Sequence, residues 1–525
     1  MPISLVSRTT RLALLACALG AVWPANAAAE ADDATVQAAH PPAPARIEPG
    51  PCPFAIPPGE IAYCMTAWVP ESHGDADDPD RPAEGVGINL VLLGNFIERP
   101  DPDPLVFLSG GPGQAGSSAL SIFGNALEIR RNRGILLVDQ RGTGASEPRL
   151  DCPQTEATEL DDFRLNDPDF DPMESVVSRL RDCHADLVAR AIDLSAFDTR
   201  SAALDLKAIR TGLGLNRWNL LGTSYGTRVA LDALRVDPEG IRSVILNSTL
   251  PTSGTFDAVS VNARGDLFEK LYESCAADKD CHAAFPALRQ DLEHIAAHLE
   301  EAPLRLYLRE PASEELRRQE VGWNDVLGAL YKHMAFTPSA AAVPRYIHEL
   351  AQVLRGRANL NDDEVARIFQ PGLEDVVDEL AMGMHLSVRC REDFPLIDDA
   401  ALNEAYEANA FYYPERAVFR EYRRVCPFWD VGEAEPDFGA PVSSDVPVLM
   451  LAGDADPLTP IQWARQAKAG LSNARLVTFR GMAHDIFDTL PCARAITANF
   501  LDAPGGELDT SCAEGIAPAF GIEQD

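Results

Sequence analysis

Five residues, Gly222-Thr223-Ser224-Tyr225-Gly226, form a G-x-S-x-G motif. Serine is a weak nucleophile, so chemistry at Ser224 needs a base, and the base needs an acid to orient it. Two downstream segments supply such groups. One is Ala452-Gly453-Asp454-Ala455-Asp456-Pro457, and the other is Arg480-Gly481-Met482-Ala483-His484. Their order, serine then acid then histidine, is the one expected when the motif is a strand-to-helix elbow. Asp456 is the preferred acid, and Asp454 reads as a turn residue or cap. His484 is the expected general base. Acyl transfer also needs donors for a developing oxyanion. The loop Ser109-Gly110-Gly111-Pro112-Gly113 is suited to that, and the backbone N–H groups of Gly111 and Tyr225 are the expected donors. A phosphate loop is the rival for this segment. Gly111 and Gly116 have its spacing, but Ser117 stands where its lysine is required.

The elements around these residues are those of a parallel sheet. Leu105–Leu108, Ile135–Val138, Trp218–Leu221, Val244–Leu246, Val448–Leu451 and Leu476–Phe479 are short apolar runs that read as strands. Gly87–Gly94 reads as another. Thr199–Leu213 has apolar residues at helical spacing, and a second helix is expected from Arg228. Ser224, Asp456 and His484 each follow the C-terminal end of a strand, the edge where α/β folds hold reacting groups. The reading is an α/β fold: a mostly parallel central sheet flanked by helices. The block 253–385 is rich in Ala, Leu, Glu and Arg with helical periodicity, and is expected to be a helical cap. It divides a core of 51–252 and 386–525. Residues 28–50, rich in Ala, Pro and acids, read as a flexible leader.

Residues 1–27 read as a signal peptide. Arg8 and Arg11 precede the apolar run Leu12–Val22, and Ala25-Asn26-Ala27 offers a cleavage site. The alternative is a lipoprotein anchored at Cys17. Without Cys17 ten cysteines remain, an even number in an exported chain. Proximity in sequence pairs them as Cys52–Cys64, Cys152–Cys183, Cys275–Cys281, Cys390–Cys426 and Cys492–Cys512. A metal cluster would want C-x-x-C spacing, which does not occur. His294 and His298 stand four apart on a helical pattern, but without the glutamate of a zinc protease. No metal or cofactor is expected. The chain carries 45 Lys+Arg against 80 Asp+Glu, a net charge of −35. That balance argues against nucleic acid and anionic lipid as partners. No later segment is apolar and long enough to span a membrane, so an exported protein is expected, periplasmic or extracellular.

The segments SGGPGQAG, DQRGTGAS, GTSYGTRVA and GDADPLTP, with the stretch holding His484, resemble secreted α/β-hydrolases of the tripeptidyl aminopeptidase and proline iminopeptidase group. The resemblance runs from about Cys52 to Cys512. It implies the α/β-hydrolase fold and a triad of Ser224, Asp456 and His484. It also implies short peptides with a free N-terminus as substrates, from which single residues or tripeptides are removed. Some members are esterases, so a carboxylesterase using the same triad is the alternative. A non-catalytic binder on this scaffold is a third reading. Two positions depart from the group. Ser109 stands where the proline iminopeptidases have His, which argues against strict proline specificity. Asp485 follows the base where Gly is common, a change that bears on the pH profile of His484. An exopeptidase must also recognise an amine, and Glu392 and Asp393 in Cys390-Arg391-Glu392-Asp393-Phe394 are the candidates.

Overall fold

The computed structural model describes residues 43–73, 85–94, 103–158, 172–254, 258–309, 316–359, 368–369, 380–413, 420–484, 486–518 and 520–521. The expected signal peptide, most of the leader and Asp485 lie outside them.

Nine strands form one sheet in the order β1-β2-β3-β5-β4-β6-β7-β10-β11. They are β1 (Arg46–Gly50), β2 (Ala62–Val69), β3 (Val86–Leu93), β4 (Leu105–Leu108), β5 (Ile135–Val138), β6 (Trp218–Thr223), β7 (Ile241–Asn247), β10 (Val448–Gly453) and β11 (Ala474–Phe479). From β5 to β11 all neighbours are parallel, and β1 to β3 extend the sheet antiparallel. Side chains alternate between two buried faces. Val106, Leu108, Leu220, Val244 and Met450 enter one core cluster, while Leu105, Phe107, Leu221, Ile245 and Leu449 enter the other. Helices Thr199–Gly212 and Tyr225–Val236 cover the first face, and Pro491–Asp502 covers the second. Burial on both faces is why these strands read as unbroken apolar runs.

Between β7 and β10 the chain builds a separate helical cluster from Ala258–Ala277, Leu288–Glu301, Trp323–Ala335 and Val343–Leu354. Three details correct the sequence reading. First, the block is not wholly helical. Strands β8 (Leu304–Arg309) and β9 (Leu316–Val321) pair as an antiparallel hairpin, and Leu304 and Leu306 pack against the helices. Leu304-Arg305-Leu306-Tyr307-Leu308-Arg309 alternates with period two, a strand signal masked by helix formers. Second, the boundary at residue 385 does not divide the packing. Met384, Leu386 and Val388 belong to the sheet core, whereas Leu402, Ala405, Tyr406 and Tyr413 pack with Val261 of the first cap helix. Third, the end of the expected flexible leader is an edge strand. β1 pairs with β2, and the Trp68 indole N–H donates to Glu48 at 2.8 Å.

Disulfides join Cys52–Cys64, Cys152–Cys183, Cys275–Cys281, Cys390–Cys426 and Cys492–Cys512. Five such bridges fit an oxidising, exported location. Among the described residues no helix is long and apolar enough to cross a membrane.

Candidate active site

Ser224 sits between β6 and the helix Tyr225–Val236 with φ 57° and ψ −124°. This is a costly conformation for a residue with a Cβ, of the order of 1–3 kcal/mol. The flanking glycines make it possible. A Cβ on Gly222 would lie 2.3 Å from the Gly226 carbonyl oxygen, and one on Gly226 would lie 2.1 Å from that of Leu108. Neither position tolerates a side chain. The elbow is fixed from outside by the Ser224 N–H, which donates to the Asn247 oxygen at 3.0 Å.

Asp456 and His484 follow β10 and β11. The His484 Nδ1 lies 2.8 Å from Asp456 Oδ2. Asp456 also accepts from the N–H groups of Leu458 and Thr459, both at 2.9 Å. The Thr459 hydroxyl lies 2.7 Å from Asp456 Oδ2 and 3.1 Å from His484 Nδ1. Burial opposes ionisation of Asp456, but His484 and the Thr459 bonds outweigh it and hold the carboxyl below its usual range. A carboxylate at Nδ1 keeps the proton there and makes Nε2 the nitrogen that can take one. Asp454 is occupied differently. Its Oδ1 accepts from the Gly481 N–H at 2.5 Å, and its carbonyl accepts from Lys270. It closes a turn, as its alternative reading had it.

Sequence reasoning missed four partners of the base. The His484 N–H donates to the Ala335 oxygen at 3.1 Å, and its ring meets Phe336 edge-on at 6.3 Å. The Ser248 hydroxyl donates to the His484 oxygen at 2.7 Å. Thr459 alone had a local signal, since Asp-x-x-Thr is an Asx-type turn.

The loop Ser109–Gly113 lies against the serine. A Cβ on Gly110 would be 2.9 Å from the Ser224 Cβ. Gly111 has φ 106°, and a Cβ there would be 2.7 Å from the Gly113 nitrogen. Tyr225 opens the elbow helix, where N–H groups have no acceptor within the helix. Ser109 closes the turn through its hydroxyl to the Gln114 oxygen at 2.5 Å. Ser117 is held by Asp139, with its N–H 2.7 Å from Oδ1. A Cβ on Gly116 would strike the Val138 oxygen at 2.2 Å, so the turn packs flat on β5 rather than cradling a phosphate.

His385 braces this loop. Its Nδ1 lies 3.0 Å from the Pro112 oxygen and its Nε2 lies 3.0 Å from the Tyr422 hydroxyl. A carbonyl can only accept, so Nδ1 carries the proton and Nε2 accepts from Tyr422. Burial, reinforced by Arg389, lowers the imidazole to about 4. It is neutral at physiological pH.

Glu392 and Asp393 are corrected. They do not face outward to a substrate amine but are buried behind the elbow helix. Glu392 accepts from the Thr199 N–H and hydroxyl, both at 2.7 Å, and from Arg228 at 3.3 Å. Asp393 accepts from Arg228 at 2.9 Å and Arg389 at 2.7 Å. The Thr199 hydroxyl is 3.0 Å from that of Tyr225. Burial pushes the Glu392 carboxyl up to about 8, against the pull of Arg228 and with the push of Asp198. Two acids already bonded to arginines have little left to offer an amine. They position the helix that carries Ser224.

Residues 103–284 match the family described as α/β hydrolase fold, and residues 415–512 match that described as TAP-like protein. The chain is 25 % identical over 477 residues to the serine protease Hip1 of Mycobacterium tuberculosis, covering 84 % of this chain and 85 % of that one. It is 23 % identical over 435 residues to the proline iminopeptidase of Aeromonas sobria, covering 78 % and 88 %. It is 22 % identical over 421 residues to the putative hydrolase YuaR of Escherichia coli, covering 78 % and 79 %.

Proposed function

We propose that this chain, a serine hydrolase with the α/β-hydrolase fold, is a peptidase that releases residues or tripeptides from the free N-termini of short peptides. The observation that carries this reading is the 2.8 Å contact of His484 Nδ1 with Asp456, on the sheet edge where Ser224 is held in its elbow.

In the proposed cycle the Ser224 Oγ attacks the scissile carbonyl while His484 Nε2 takes its proton. The N–H groups of Gly111 and Tyr225 stabilise the oxyanion. Collapse breaks the C–N bond, and the leaving amine takes the proton from His484. Water, deprotonated by His484, then attacks the acyl-enzyme, and Ser224 recovers its proton. Asp456 stays ionised and stabilises the imidazolium. Ser224, His484 and one water supply the two nucleophiles and every proton moved. Amine recognition falls to groups other than Glu392 and Asp393. Export through a signal ending at Ala27 belongs to the same reading, and N-terminal sequencing of the mature protein tests it.

The deciding experiment compares peptide amides with free and acetylated N-termini, and nitrophenyl esters, on wild type and Ser224→Ala. The expectation is cleavage of the free peptides, little of the acetylated ones, and none by the variant. Equal cleavage of free and acetylated peptides removes the aminopeptidase reading, and turnover of esters alone replaces it with a carboxylesterase.

A further inference from the structure

We propose, on the Ser224 reading above, that Arg264 anchors a carboxylate of the substrate, so that the cleft selects short peptides bearing a negative charge away from the scissile bond. Arg264 projects from the cap helix Ala258–Ala277. Its guanidinium packs against the ring of Tyr331 at 3.9 Å and that of Tyr413 at 4.5 Å. Its Nε is buried with no acceptor, and no carboxylate or carbonyl accepts from the group among the described residues.

Acids outnumber bases 80 to 45. Arg264 is half-buried, and the arginines that are fully buried show where such cations go: Arg141 is paired with Asp205, Arg130 with Glu60, and Arg228 with Glu392 and Asp393. A buried donor without an acceptor is costly, and natural proteins keep few of them. Two tyrosine rings hold the cation by its π contacts, and no acid among the described residues pairs with its fork of N–H donors. A planar, bidentate anion is what that fork fits, and a carboxylate is such an anion.

The position connects this cation to the reacting groups. Tyr331 stands four residues before Ala335 on one helix, so both share a face. The Ala335 oxygen receives the His484 N–H, and the next residue, Phe336, lies against the His484 ring. On the helix of Arg264 itself, Lys270 donates to the carbonyl of Asp454, two residues before Asp456. Both cap helices that frame Arg264 therefore touch the loops carrying the acid and the base. A cation there draws in an anionic substrate that the −35 charge of the whole chain repels.

The carboxylate comes from one of two sources, the C-terminus of the peptide or a Glu or Asp side chain. Calorimetry on the Ser224→Ala protein separates them with three tripeptides of free N-terminus: a neutral acid, its C-terminal amide, and an amide containing Glu. The neutral acid is expected to bind about 10- to 100-fold more tightly than its amide. A preference shown only by the Glu peptide assigns the side-chain source. Adding Arg264→Gln should bring the ratio of acid to amide close to one, and Arg264→Lys should keep part of it, which covers the case in which the first variant does not fold. Equal binding of all three peptides, or a ratio unaltered by Arg264→Gln, overturns the proposal. Hydrolysis retained by Ser224→Ala would instead remove the serine reading, while the binding ratio would still report on Arg264.

Discussion

The hydroxyl of Ser248 donates to the carbonyl oxygen of His484 at 2.7 Å. Ser248 also has positive φ, 58°, and its N–H donates to the Leu451 oxygen at 2.9 Å. Its neighbour Asn247 receives the N–H of Ser224. One dipeptide at the end of β7 thus grips the backbone of both the nucleophile and the base. Ser248→Ala removes only the grip on His484. It should lower kcat by ~10-fold or more with little change in KM, because a small displacement of the base is felt mainly in the transition state. Steady-state kinetics on an ester checks this, and an unchanged kcat would discard the role.

Asp456→Asn should cost far more. The amide cannot hold the Nδ1 proton as a carboxylate does, and comparable replacements in serine proteases lower kcat by about 10⁴. Asp454→Asn, which alters a turn bonded to Gly481, should leave kcat within about 10-fold. Similar losses in both variants would mean that the acid has been misassigned.

His385 makes stability depend on acid pH. Its imidazole is lowered from 6.5 to about 4, so between these values the unfolded chain binds more protons than the folded one. Stability from this group is full above pH 6.5 and is lost as pH falls through 4. Arg389 and Asp393 face it and push in opposite directions. Denaturant titrations of wild type and His385→Gln across this window should show a steeper dependence in wild type. Parallel curves would sink the assignment of the neutral brace.

Glu392 acts with the opposite sign. Its carboxyl is raised from 4.5 to about 8, so the folded chain holds the extra proton, and stability falls as pH rises from 4.5 to 8. Relative to Glu392→Gln, wild type should lose stability over that window. Activity of the variant should fall in kcat, since Thr199 and the elbow helix lose an acceptor behind them. A stability gap independent of pH would contradict the raised carboxyl.

How much of this could be read from the chain differs by element. Ser224, Asp456 and His484 were legible because each has a local signature: an apolar strand, then a turn residue, then the functional side chain. The choice of Asp456 over Asp454 was also readable, since only Asp456 opens Asp-Pro-Leu-Thr459. Glu392 and Asp393 misled because their partner Arg228 lies 164 residues away from Glu392, where no local pattern reaches. The same holds for Ser248 and Ala335, whose bonds to His484 depend on how β7 and the cap helix meet the loop after β11. β1 was hidden by composition, for a Pro-rich edge strand looks like a linker until its partner is known.

The absent side chain of Gly226 has a mechanical consequence. With the carbonyl of Leu108 packed against its Cα, the elbow helix and the strand leading into the Ser109–Gly113 loop are in direct backbone contact. His484 is tied twice: its carbonyl accepts from Ser248, beside the residue that holds Ser224, and its N–H donates to Ala335 of the cap. A shift of the cap would therefore pull on the backbone of the base, while the nucleophile and the loop beside it stay packed together.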